Sequence, residues 1–195
     1  MGVCVGGITF DGRLVRLLDN NGHNQSNGCP YKINEVYEVA FIEKQNPIPP
    51  HIEDILVQSS KYVEQLKDDI RMINVITKRN INICKGRIGD LFDKCLKFTN
   101  NGSGYINSLK IPQNSVSFWI ADKDLIKNID SNGKIRYQYQ TDFFSSDIQI
   151  KYVGFQPAED IISKGTLLRV SLARWWAPDD EVENRCYLQL SGWYK

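Results

Sequence analysis

The run LLRVSLARWW, residues 167–176, decides the fold. Leu168, Val170 and Leu172 alternate with Arg169, Ser171, Ala173 and Trp175, the pattern of a strand with one face buried. A second run, CYLQLSGWY at 186–194, alternates likewise, with Cys186, Leu188 and Leu190 facing in and Tyr187, Gln189, Ser191 and Trp193 facing out. Paired antiparallel across the loop that joins them, the runs are expected to set Trp176 opposite Cys186, Trp175 opposite Tyr187, Ala173 opposite Gln189, Ser171 opposite Ser191 and Arg169 opposite Trp193. Arg174 then falls on the apolar side. A guanidinium there needs partners, so a bulge or an ion pair with Asp179, Asp180 or Glu181 is expected, with Arg174 at least partly buried.

Strand patterning continues outward from this pair. VCVGGIT (3–9) and RLVRLL (13–18) flank Asp11-Gly12, a hairpin signal, and EVYEVAFIE (35–43) is rich in β-branched and aromatic residues. The prolines of NPIPPH (46–51) forbid regular pairing there. Residues 52–66 suggest a short strand followed by a helical turn, 68–77 fit either helix or strand, and 88–95 suggest a short helix with Leu91, Phe92 and Cys95 on one side. VSFWIA (116–121), KIRYQYQ (134–140) and IQIKYVGF (148–155) are further strands, the second entered through an Asp130–Gly133 turn. Roughly ten short strands with one or two small helices favour an all-β fold of small barrels over a parallel α/β sheet.

The 195 residues suffice for one domain or two barrels of roughly 90 residues each. A net charge of +1 argues against coating polyanions by bulk charge, although a local basic groove remains compatible with it. The N-terminus does not read as a signal peptide, no run is long and apolar enough to span a bilayer, and the five cysteines are odd in number with no CxxC pair. A cytoplasmic protein with reduced thiols and no membrane partner is expected.

Chemistry-bearing motifs are scarce. GSGY (102–105) lacks the Lys-Ser/Thr of a phosphate loop and reads as a turn; His23 and His51 read as solvated loop residues; Glu53 and Asp54 point to opposite faces of a strand. No catalytic signature, metal site or cofactor site emerges, which favours a binding protein over an enzyme. The outward aromatic, polar and cationic face of the C-terminal hairpin is the functional hint. Flat rings beside Arg form a platform for unpaired bases, and the competing explanation is that these rings cover a second core.

The N-terminal VCVGGITFDGRLVRLL resembles the opening of a dual-OB-domain family of bacterial proteins, and LLRVSLARWWAPDDEVENRCYLQLSGWY resembles its ending. PPHIEDILV and LFDKCLKFTNNGSGYI are consistent with it, while Leu17-Leu18 stands where relatives are expected to carry Pro. The resemblance implies two OB-like β-barrels in one compact unit, residues 1–95 and 96–195 with the boundary inside 80–110, and a place in bacterial or phage conflict loci. The resulting expectation is a non-catalytic module binding single-stranded DNA or RNA through Arg169, Trp175, Tyr187, Gln189 and Trp193, with Arg13 and Arg16 extending the basic track. The alternatives are a nucleotide or small-ligand sensor with a pocket between the barrels, and an adaptor for a partner enzyme. DNA versus RNA, sequence preference and oligomeric state are not legible.

Overall fold

In the computed structural model, residues 2–79, 81–141, 147–177 and 183–195 are described. They form two compact units, residues 1–81 and 82–195.

In the first unit, β1 (Val5–Ile8) and β2 (Leu14–Leu18) form the expected hairpin. The turn needs Gly12, whose φ of +90° is disfavoured for any residue with a Cβ. β3 (Glu35–Glu43) pairs antiparallel with β4 (Asp54–Gln65), and β4 runs parallel to β2, so the sheet order is β1-β2-β4-β3. The helical turn expected after a short strand in 52–66 is instead a continuation of β4. Pairing with β3 reaches Gln65, and this ladder overrides the weak local pattern of SSKYVEQ. The ambiguity over 68–77 resolves as helix α1 (Asp69–Lys78), whose first turn is capped by the Asp68 carboxylate accepting from Arg71 N at 2.9 Å. Val15, Leu17 and Ile55 form the unit's small core, with Val5, Tyr31 and Val57 against it.

The second unit begins with β5 (Ile83–Gly86). The helix expected over 88–95 is a 3-10 turn at Ile88–Asp90 followed by a left-handed turn, in which Phe92, Asp93 and Lys94 take φ of +50°, +58° and +58°. Leu91, Phe92 and Cys95 are nonetheless buried together. The remaining strands are β6 (Lys97–Phe98), β7 (Gly104–Asn107), β8 (Val116–Ala121), β9 (Leu125–Ile129), β10 (Ile135–Tyr139), β11 (Ile148–Tyr152), β12 (Ile161–Ile162), β13 (Leu167–Leu172) and β14 (Arg185–Tyr194).

The main path across this sheet is β9-β10-β11-β14-β13-β8, antiparallel throughout except for the parallel β11–β14 pair. No ladder joins β8 to β9. They are consecutive halves of one bent strand, separated by Asp122-Lys123-Asp124, so the chain itself links the two ends of the path. The outcome is the five-stranded Greek-key layout of an OB fold, with an open ladder rather than a fully hydrogen-bonded barrel. The first unit repeats four of those five strands: β1-β2-β4-β3 with β2 parallel to β4 matches β10-β11-β14-β13 with β11 parallel to β14. No counterpart of the bent β8–β9 strand occurs among that unit's described residues.

Aromatic side chains fill the second unit's interior, and their polar atoms are satisfied there. Trp119 Nε1 donates to Gly86 O at 2.8 Å, Tyr137 Oη to Glu159 O at 2.8 Å and Tyr139 Oη to Asp122 Oδ1 at 2.7 Å. Leu168, Val170, Leu188 and Leu190 pack against them. All five cysteines are free thiols.

Candidate nucleic-acid interface

Because Tyr137, Tyr139, Ile148 and Ile150 point into the core, Arg136, Gln138, Gln149 and Lys151 point out from β10 and β11. Strand register carries this outer face across the sheet in one row: Asn128 beside Arg136, Arg136 beside Lys151, Lys151 beside Gln189, Gln189 beside Ser171. Arg169 lies two residues along β13 from Ser171 on the same face, and Tyr187 two residues along β14 from Gln189. Ser171 and Ser191 share a hydroxyl hydrogen bond at 2.9 Å.

The cations on this face differ in how they are neutralised. Arg136 Nε donates to Asp130 Oδ2 at 2.8 Å, and Gln138 donates to Asp147. The Lys134 backbone N–H, helped by Arg136 and the Asn132 N–H, holds the Asp130 carboxyl below its usual range. Lys151 and Arg169, both half-buried, enter no ion pair among the described residues. Their charge is not offset by a carboxylate among those residues.

At the other end of the row the face becomes aromatic. Trp176 and Arg185 exchange two backbone hydrogen bonds, at 3.0 and 2.9 Å, which brings Trp176 to the start of β14. Its ring is 56% exposed and lies 6.2 Å from that of Tyr187. Tyr187 faces Tyr105 of β7 at 6.0 Å, and the Arg185 guanidinium sits 4.2 Å over the Tyr105 ring. Glu183 steadies this end, accepting from Asn107 Nδ2 at 2.7 Å and lying 3.3 Å from Arg185 Nη2.

Arg169, Tyr187 and Gln189 therefore share one face of the sheet, whereas Trp175 and Trp193 do not join them. Trp193 is buried at 3%, against the outward orientation expected for it. Val170 pairs with Leu190 but Arg169 with Gly192, leaving Ser191 as an extra residue in β14; this bulge reverses the alternation and turns Trp193 inward. Ahead of the bulge the register is already two residues from that expected, Ser171 lying opposite Gln189, and beyond it Leu168 lies opposite Trp193. Trp175 packs against the core, and Trp176 takes the place beside Tyr187 expected of it. Arg174 is exposed rather than buried, since β13 ends at Leu172 and alternation no longer applies to it. The carboxylates expected near it, Asp179, Asp180 and Glu181, lie outside the described residues.

The N-terminal arginines also depart from the expected track. Arg13 is exposed but forms a two-pronged pair with Glu43, at 2.5 and 2.7 Å. Arg16 is buried at 3%, with Nη1 donating to His51 Nδ1 at 3.1 Å and lying 3.8 Å from Asp54 Oδ1. His51, read as a solvated loop residue, is 1% exposed, and Glu53 and Asp54 are both buried beside it in sequence. Lys44 Nζ completes this group, 3.3 Å from Asp54 Oδ2.

Arg136, Gln138, Gln149 and Lys151 join this face without having stood out in the sequence. Their signal was the strict alternation in IRYQY and IQIKY, where every second residue is polar and hydrogen-bonding. Among the described residues, no cluster of three or more His, Cys, Asp or Glu side chains could hold a metal ion, and no helix is long and apolar enough to cross a membrane.

A family model described as a dual OB-containing domain matches residues 1–193. No curated protein and no solved structure matches.

Proposed function

The chain belongs to the dual OB-containing domain family, and from that premise we propose that it is a non-catalytic module that binds single-stranded nucleic acid on the outer face of its second unit. OB-fold domains commonly bind nucleic acids, using the face of their second and third strands together with the flanking loops. In this chain those strands are β10 and β11, and their outer face continues onto β14. We assign one OB-like domain to each compact unit.

The observation that carries the proposal is the row Lys151–Gln189 with Tyr187 and exposed Trp176 beyond it. Each part suits one part of a strand. Rings stack on bases of any identity, the Gln189 side chain offers donors and an acceptor to base edges, and Lys151 and Arg169 meet phosphate. Lys151 and Arg169 are separated by two strand spacings across the sheet and two residues along it, about 12 Å, so one strand can engage both. Because the net charge is only +1, affinity rests on this local arrangement and not on bulk attraction.

The test is a binding panel at two salt concentrations, with single-stranded and duplex DNA, single-stranded and duplex RNA, and mononucleotides. Saturable binding of single strands that weakens as salt rises supports the proposal. Preference for a mononucleotide would instead favour a ligand sensor, and indifference to every nucleic acid would favour a protein adaptor.

A further inference from the structure

The tip of the β1–β2 hairpin carries a ring that the turn does not need. Phe10 is 90% exposed, in a turn closed by Gly12 N donating to Thr9 O at 3.0 Å and Arg13 N donating to Thr9 Oγ1 at 2.9 Å. Such positions favour small polar residues. The ring is nevertheless held in place. Arg79, the residue that ends α1, sets its guanidinium 4.6 Å from the Phe10 centroid and donates from Nη1 to Thr9 O at 2.6 Å. Gly12 permits this approach, because a Cβ there would lie 3.0 Å from both Cβ and O of Arg79.

The charge at this tip is unevenly neutralised. Arg13 is matched by Glu43, and the Asp11 carboxylate is turned to the Thr9 hydroxyl. Among the described residues no carboxylate pairs with Arg79. The guanidinium covers one face of the ring, and exposure of 90% leaves the other face open. An open aromatic face beside an unneutralised guanidinium has the chemistry of a nucleotide contact, with the base on the ring and the phosphate on the cation.

We infer that Phe10 and Arg79 form a second single-strand contact, in the first unit, where Phe10 stacks on one unpaired base and Arg79 meets the adjoining phosphate. This rests on the reading of the chain as a single-strand binder. A protein partner would use Phe10 as an apolar anchor, for which a leucine of similar size is an adequate substitute; a stacked base requires a flat ring.

The experiment uses the full chain, single-stranded oligonucleotides carrying 5-iodouracil, and the variants Phe10→Ala, Phe10→Leu and Phe10→Trp, each checked for an unchanged thermal transition. Irradiation should crosslink the strand to the peptide containing Phe10. Phe10→Ala and Phe10→Leu should weaken binding by a factor of about five or more, and Phe10→Trp should retain it. Crosslinks confined to residues 82–195, with Phe10→Ala at wild-type affinity, would overturn the inference and leave the second unit's face standing. Retained affinity in Phe10→Leu would overturn it in favour of a plain apolar contact. Absence of any single-strand affinity would remove both the inference and the reading beneath it.

Discussion

Trp193 packs on Tyr152 inside the second unit, ring centroids 5.3 Å apart, because Ser191 is one residue too many for the β13–β14 ladder. Tyr137 closes the cluster at 5.9 Å from Trp193. The fate of two β14 rings follows from this: Tyr187, ahead of the bulge, keeps its expected outward place, and Trp193, after it, joins the core.

Trp193→Ala should therefore destabilise the protein by about 3–5 kcal/mol, the usual cost of emptying a buried aromatic site. Trp176→Ala should change stability by no more than roughly 0.5 kcal/mol, as expected for an exposed side chain. Chemical denaturation of both variants separates the two tryptophans. Equal losses would mean that Trp176 is also structural.

The bulge is held by Gln156, whose Oε1 accepts from Trp193 N at 3.0 Å while Nε2 donates to Trp193 O at 2.8 Å. A Cβ at Gly192 would come within 2.7 Å of Gln156 Oε1. Gly192→Val should break this clamp and cost about 1–3 kcal/mol. A smaller cost of Gly192→Val in a Gln156→Ala background than in wild type would show that loss of this clamp, and not strand propensity, is the cause.

Alkaline pH should destabilise the second unit through its buried tyrosines. Burial is the largest influence on Tyr137 and pushes its hydroxyl up to about 12, while burial, followed by the neighbouring Asp122, raises Tyr139 as well. A raised folded pKa means that the folded state keeps a proton the unfolded state has already lost. The stabilisation is complete below about pH 10, the unfolded value, and is lost as pH rises through about 12. For Tyr137 the loss is on the order of 2 kcal/mol. Tyr137→Phe should remove part of this alkaline limb, measured by denaturation across that window together with tyrosinate absorbance. An unchanged limb would place the titration elsewhere.

Arg16 and Arg13 should behave as structural and superficial residues respectively. Arg16→Met leaves Asp54 buried with one cation fewer, at a cost of about 3–5 kcal/mol. Arg13→Gln breaks only an exposed pair and should cost at most about 1 kcal/mol. Denaturation midpoints decide the matter, and equal effects would contradict the burial difference between the two arginines.

Much of this molecule was legible from alternation alone. The inward residues of β10, β11, β13 and most of β14 follow it, and the Asp-Gly turn closes β1 onto β2 as its chemistry dictates. The bulge was not legible. Its only trace is Ser191-Gly192, a pair equally at home in a regular strand, and one inserted residue reverses every side chain after it. Trp175 and Trp176 were exchanged for a related reason: β13 ends at Leu172, so residues beyond it answer to the loop and not to the pleat. The buried Arg16, His51 and Asp54 group lay hidden because its members are scattered across a hairpin, a proline-rich loop and a strand start. Polar residues in such places read as solvated until the chain brings them together. Lys151 and Arg136 were overlooked for the opposite reason, since a polar residue at every second position is what any half-buried strand shows.

The central claim is that the outer face of the second unit binds single strands, and its most direct test is the affinity for one single-stranded oligonucleotide, measured across a salt series, for wild type, Tyr187→Ala and Lys151→Gln. Tyr187→Ala should weaken binding by a factor of about five or more through lost stacking, with the salt dependence unchanged. Lys151→Gln should weaken binding and reduce the salt slope by about 0.7, the value for one phosphate contact on a single strand. If both folded variants match wild type in affinity and in slope, the strand does not lie on this face and the account is wrong.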